Sequence, residues 1–201
     1  MPLPDDIAAR ISRGNEFQKR FITWFVNGDM LGPDGEILHA SFPSLDSLVI
    51  PKSSPKGRVG RGRQVPIPPD PTRTRDGVNV TGRPDVVAIV DDGSERSVII
   101  IELKSTDWST MTPVRLRRNV AAHAAQVYSY QGHWTNQLWD PTLGDRGGWR
   151  TDLDFQAVQM YLCYETRPAD PAVADAIVEQ VGEGGISVVW FDEIEAEHSP
   201  N

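Results

Sequence analysis

The chain of 201 residues has one cysteine, Cys163. A lone thiol cannot close an intramolecular disulfide, nor supply the four thiolates of an iron–sulfur cluster. It lies in the apolar run Met160-Tyr161-Leu162-Cys163-Tyr164, which reads as a strand with a buried structural thiol. Long hydrophobic runs are missing too. None approaches the roughly 20 apolar residues of a membrane helix, and the N-terminus lacks the apolar centre of a signal peptide. The expectation is a cytoplasmic protein with no membrane attachment, export without a signal peptide being the alternative. Positive charge is in deficit: 20 Lys and Arg against 28 Asp and Glu leave a net charge of −8, which argues against a broad basic surface. No internal repeat is visible. With 39% hydrophobic and 24% charged residues, the composition is that of a globular protein, and the length suits one domain spanning 1–201.

What basic charge exists is concentrated. Lys52, Lys56, Arg58, Arg61, Arg63, Arg73 and Arg75 are offset only by Asp70 and Asp76. This segment, about 52–76, is rich in Pro, Gly and Ser and reads as a long loop or partly disordered arm. Beside a nucleic-acid site it would order on phosphates; the alternative is a solvated insertion without a partner.

Two short stretches carry most of the chemical information: Gly82-Arg83-Pro84-Asp85 and Glu102-Leu103-Lys104. The first precedes the apolar run Val86-Val87-Ala88-Ile89-Val90, and the second follows Val98-Ile99-Ile100-Ile101. Between the runs, Asp91-Asp92-Gly93-Ser94 signals a tight hairpin turn. Antiparallel pairing would bring Asp85 beside Glu102 and Lys104. Side chains alternate along a strand, so Glu102 and Lys104 share a face with Val98 and Ile100, while Leu103 points the other way. Two carboxylates, with the Leu103 backbone carbonyl as a further oxygen, form a hard site suited to Mg²⁺ or Mn²⁺. Such a cation polarises a phosphoryl oxygen and makes water a better nucleophile, and Lys104 would orient the water or neutralise developing charge. The bland alternative is a solvated ion pair at a strand end, with Asp85 as a turn residue.

The stretch GRPDVVAIV…IIIELKS resembles the signature of the PD-(D/E)XK nuclease superfamily, with Pro84-Asp85 as its Pro-Asp and Glu102-Leu103-Lys104 as its Glu-X-Lys. Gln126-Val127-Tyr128-Ser129-Tyr130 resembles the Gln-X-X-X-Tyr element of the RecB-like and phage exonuclease branches. The resemblance covers roughly 77–164. It implies the α/β restriction-endonuclease-like fold: a central mixed β-sheet flanked by helices, in the order α-β-β-β-α-β-α-β. It also implies metal ligands at Asp85 and Glu102 and a catalytic lysine at Lys104. The iron–sulfur cluster of some RecB-like relatives has no counterpart here.

A coarse pass places the rest. Asn15–Val26 reads as an amphipathic helix, with Phe17, Phe21, Trp24 and Phe25 on one face. Short strands are expected at Glu36–Ala40 and Ser47–Ile50, and Val78–Thr81 leads into the Asp85 strand. A long helix runs from about Thr112 to Leu138 with the apolar stripe Val120, Ala124, Val127, Trp134 and Leu138, followed by a loop from Asp140 to Trp149. Phe155–Tyr164 reads as a strand, Pro171–Val181 as a helix, and Ile186–Asp192 as a last strand before a short polar tail from about 195. On the long helix His123, Gln126, Tyr130 and His133 share a face away from that stripe. Gln126 could bond a metal-bound water or phosphate, and Tyr130 could donate to a phosphate oxygen. A half-buried polar helix face is the competing account. The two histidines could act as general acids near neutral pH, but a lone helical histidine is more often structural. Glu16 is a further candidate ligand, since relatives often place a first-helix acid near the metals; an i,i+4 pair with Arg20 is its stronger rival. Arg83, Arg115, Arg117 and Arg118 are candidate phosphate contacts, with solvated surface as the alternative.

The expectation is a divalent-metal-dependent deoxyribonuclease with catalytic residues Asp85, Glu102, Lys104, Gln126 and Tyr130. Alternatives are a catalytically inactive nucleic-acid-binding or assembly module of the same fold, and a nuclease toxin of a competition system. A homodimer, and a protein partner such as an immunity protein, are compatible with all three.

Overall fold

A computed structural model of the chain describes residues 5–26, 36–42, 73–75, 78–80, 84–91, 95–140, 148–149 and 157–198. The elements in chain order are α1 (Asp5–Val26), β1 (Glu36–Ser41), β2 (Arg73–Arg75), β3 (Val78–Val80), β4 (Val86–Asp91) and β5 (Arg96–Lys104). There follow a 3-10 turn at Trp108–Thr110, α2 (Pro113–Leu138), β6 (Trp139–Asp140), β7 (Gly148–Trp149) and β8 (Ala157–Tyr164). The chain continues with α3 (Pro171–Gly182), β9 (Ser187–Trp190) and α4 (Phe191–His198).

Five strands form one sheet in the order β1-β4-β5-β8-β9. β4 is antiparallel to both β1 and β5, whereas β5–β8 and β8–β9 are parallel. Parallel neighbours need a crossover connection, and α2 and α3 supply the two required. The pairs β2–β3 and β6–β7 are separate two-stranded ribbons. The molecule is thus α/β with a mixed sheet flanked by helices.

The strand β5 is buried from Ser97 to Leu103 because helices cover both its faces. Ile99, Ile101 and Leu103 join a core with Val86, Ala88 and Val90 of β4, Phe17, Phe21 and Phe25 of α1, and Phe191 of α4. The alternate residues Val98 and Ile100 face the other way and meet Val87, Ile89 and Tyr130 of α2. Further along that side Val120 and Val127 of α2 pack with Met160, Leu162 and Tyr164 of β8 and Ala174, Ile177 and Val181 of α3. Among the described residues no helix is long and apolar enough to cross a membrane.

Several boundaries differ from the sequence reading. The first helix begins at Asp5 rather than Asn15. Its opening turns are exposed, so no apolar periodicity marks them; Asp5 and Asp6 at the helix N-terminus and the Ala and Arg residues favour helix without burial. The last strand stops at Trp190, and the segment that includes the start of the expected polar tail is α4. There Phe191 is fully buried, and Asp192 and Glu193 sit favourably in a first helical turn. Arg73–Arg75, expected within the long loop, pairs with Val78–Val80. The hairpin turn at 92–94, Gly82, Arg83, Ser47–Ile50 and the rest of the basic segment lie outside the described residues, as does the side chain of His133.

Candidate active site

The β4–β5 hairpin sets Val86 opposite Ile101, so Asp85 and Glu102 follow one step along at the same end of the pair. Both carboxylates are 4% exposed. Burial of two acids side by side is unfavourable unless donors or a cation meet them.

Donors meet Asp85 from two elements. Its Oδ2 accepts the Leu103 N–H at 2.7 Å, and its Oδ1 accepts from Gln18 Nε2 of α1 at 2.8 Å. Glu102 is held differently. Its Oε1 accepts from Lys104 Nζ at 2.6 Å, a contact made possible because residues two apart on a strand share a face. Its Oε2 is buried with no hydrogen-bond partner. Lys104 Nζ also donates to Gln126 Oε1 at 3.0 Å, and Gln126 Nε2 donates to the Tyr130 hydroxyl at 2.7 Å. A continuous polar line therefore runs from Glu102 through Lys104 and Gln126 to Tyr130, joining β5 to α2. The five residues expected to form a site come together.

The electrostatics follow from this packing. Burial, reinforced by the charge of Asp85, pushes the Glu102 carboxyl up to about 7, against the attraction of Lys104 and the pull of the nearby Tyr130 hydroxyl. Tyr130 is itself pushed above the usual phenol range by burial first and by the Glu102 charge second. His123 of α2 has its Nδ1 3.1 Å from the Tyr164 hydroxyl. Burial, helped by the Lys104 charge, lowers it to about 4. It is neutral at pH 7, which removes it as a general acid there. Tyr164 is part of an aromatic wall, its ring 4.9 Å from Trp108 and 5.5 Å from Trp190.

No cluster of three or more His, Cys, Asp and Glu side chains in metal-binding arrangement occurs among the described residues. The acidic centre is the pair Asp85 and Glu102. The buried Oε2 of Glu102, which makes no hydrogen bond although the Tyr130 hydroxyl is near the carboxyl, is a place where a hard cation fits. Leu103 contributes its N–H to Asp85, while its side chain belongs to the α1 core.

Glu16 does not join this centre. It is exposed, and its hydrogen bond comes from Ser12 Oγ at 3.5 Å. Arg20, its expected partner, pairs instead with Glu165 at 3.8 Å and Glu195 at 3.6 Å. Phe17 and Phe21 fix how α1 sits on the sheet, and the neighbouring Gln18 is turned to Asp85. Glu16 lies about 200° round the helix from Gln18, too far to reach the same point.

Arg115, Arg117 and Arg118 are all exposed in the first turns of α2. Helical phase separates them. Arg115 falls within about 20° of Gln126 and Arg118 within about 80°, whereas Arg117 lies on the opposite side. The Arg117 carbonyl accepts from Gln180 Nε2 of α3 at 3.1 Å, consistent with that orientation.

Three participants were not foreseen: Gln18, Ser105 and Glu165. Ser105 Oγ accepts from Arg13 Nε of α1 at 3.0 Å and donates to Glu165 Oε2. Glu165 is there because β5 and β8 pair in parallel with Lys104 opposite Tyr164. No local pattern announces that register; the nearest sequence signal for Gln18 is its place between Phe17 and Phe21 on the apolar helix. Comparison of the chain with protein-family models, curated proteins and solved structures finds no match in any of the three.

Proposed function

We propose that this protein is a divalent-metal-dependent nuclease of PD-(D/E)XK type, built on a restriction-endonuclease-like core and hydrolysing phosphodiester bonds in DNA. The observation that supports it best is the convergence of Asp85, Glu102, Lys104, Gln126 and Tyr130 at one end of a buried sheet, with one Glu102 oxygen unsatisfied. Asp85 and Glu102, with the Leu103 carbonyl, would hold Mg²⁺ or Mn²⁺. When bound, such a cation neutralises phosphate charge and polarises a phosphoryl oxygen. Lys104, released from Glu102, supplies a fixed positive charge beside the reacting phosphate and can orient attacking water. Gln126 holds Lys104 in line and Tyr130 offers a hydroxyl proton, because its own oxygen already accepts from Gln126. Arg115 and Arg118, on or near the Gln126 side of α2, continue this face and suit backbone phosphates.

The test is cleavage of supercoiled plasmid, linear duplex and single-stranded DNA with Mg²⁺, Mn²⁺ or EDTA. Metal-dependent cutting, reduced at least about 10²-fold in Lys104→Ala, is the expected result. A DNA-binding module without catalysis is the second reading. The closed Lys104–Glu102 ion pair favours it, since a structural charge pair would have the same form. It predicts retained DNA and no cutting with any metal.

A further inference from the structure

Helix α1 lies on the sheet face opposite α2, yet it reaches the acidic centre. Gln18 Nε2 donates to Asp85 Oδ1 at 2.8 Å across 67 positions of sequence separation. Five residues earlier on the same helix, Arg13 Nε donates to Ser105 Oγ, next to Lys104. The helix is thus tied to the strand ends on both sides of the centre. It cannot slide easily, because Phe17, on one side of Gln18 in sequence, is 1% exposed and Phe21 is 2% exposed.

We infer that Gln18 is a positioning residue for metal binding: it holds the Asp85 carboxylate in place beside Glu102 at the strand end. The inference rests on the nuclease reading and goes beyond it, because it assigns α1 a role in the chemistry. The geometry has three parts. The Leu103 N–H takes Oδ2 and Gln18 takes Oδ1, which together set the plane and rotation of the carboxylate. Each carboxylate oxygen can accept more than one bond, so neither contact by itself closes its oxygen to a cation. The donor is an uncharged amide, so it orients Asp85 without adding the third negative charge that an acid at this position would bring. Groups that orient a metal ligand in this way govern affinity nearly as strongly as the ligands, and their loss typically lowers it by about 10- to 100-fold.

The distinguishing variant is Gln18→Met, which keeps the length and volume of the side chain and removes the donor. Mn²⁺ binding is measured by calorimetry and by electron paramagnetic resonance on the full chain, beside Glu102→Gln, DNA cleavage and thermal unfolding. The expected result is Mn²⁺ affinity lowered about 10- to 100-fold in Gln18→Met, in a metal-free protein that still folds but melts several degrees lower, because a buried carboxylate loses one donor. Cleavage should recover at saturating Mn²⁺, because Gln18 acts through Asp85 and not on the substrate. Gln18→Met binding Mn²⁺ as tightly as wild type, while Glu102→Gln does not bind it, would overturn this inference alone. Failure of the wild-type protein to bind Mn²⁺ would overturn the nuclease reading and this inference with it.

Discussion

The two faces of β5 are built from alternate residues of one strand and do opposite work. On the α1 side, Ile99, Ile101 and Leu103 enter a core dominated by Phe17, Phe21, Phe25 and Phe191. On the α2 side the same alternation begins apolar, with Val98 and Ile100, and then turns polar at Glu102 and Lys104. The first face stabilises the fold; the second uses the rigidity that results to hold buried charge at the strand end. Where a strand changes from apolar to charged while both faces remain covered, a site is a better explanation than surface. The contrast is not complete, because Gln18 crosses from the first face to the second at the strand end.

The largest effect should come from the packing face. Phe25→Ala removes a fully buried ring that stacks on Phe21, and should lower unfolding stability by about 3–5 kcal/mol. Chemical denaturation measures it. Cleavage per folded molecule should stay close to wild type; a large loss would show that the faces are not separable.

Glu102→Gln should act in the opposite direction. The ordinary carboxyl value is 4.5 and the folded value about 7. The folded protein therefore holds this proton more tightly, and the resulting stability is complete below pH 4.5 and lost as pH rises through 7. At pH 8 the variant should be more stable than wild type by about 1–3 kcal/mol, with the difference closing towards pH 5. Melting temperatures from pH 5 to 8 test this, and the variant should cut no DNA. A variant less stable at pH 8 would mean that the Lys104 attraction outweighs burial.

The smallest effect separates two arginines on one helix. Arg115→Ala should weaken DNA binding a few-fold and reduce the steepness of its salt dependence by about one charge, whereas Arg117→Ala should change neither. Binding titrations at several salt concentrations distinguish them. Equal effects would break the helical-phase argument.

The hairpin, the adjacency of Asp85 and Glu102, and the shared face of Gln126 and Tyr130 were legible because each depends on local periodicity. Alternation along strands and the 3.6-residue helical turn place these side chains whatever the distant chain does. Glu16 and Gln18 show where that reasoning stops. Both occupy the helix that lies against the site; sequence offers only the acid as a candidate ligand, with a pair to Arg20 as its stronger rival, and gives no sign of Gln18. How α1 rotates on the sheet is decided by Phe17 and Phe21 packing against Phe191, whose rings lie 5.6 and 5.5 Å away. The first turns of α1 were missed for a related reason: they bury nothing, so they carry no hydrophobic pattern.

Sequence by itself determined which residues could carry charge into this molecule's interior, since a strand of Val98-Ile99-Ile100-Ile101 ending in Glu102 and Lys104 has few places to go but a covered sheet. Tertiary structure alone decided what those charges meet. The parallel register of β5 and β8 brings Glu165 beside Ser105, and the seating of α1 brings Gln18 to Asp85. Contacts between residues far apart in sequence depend on how whole elements pack, and packing is set by the summed shape of many side chains rather than by any short pattern.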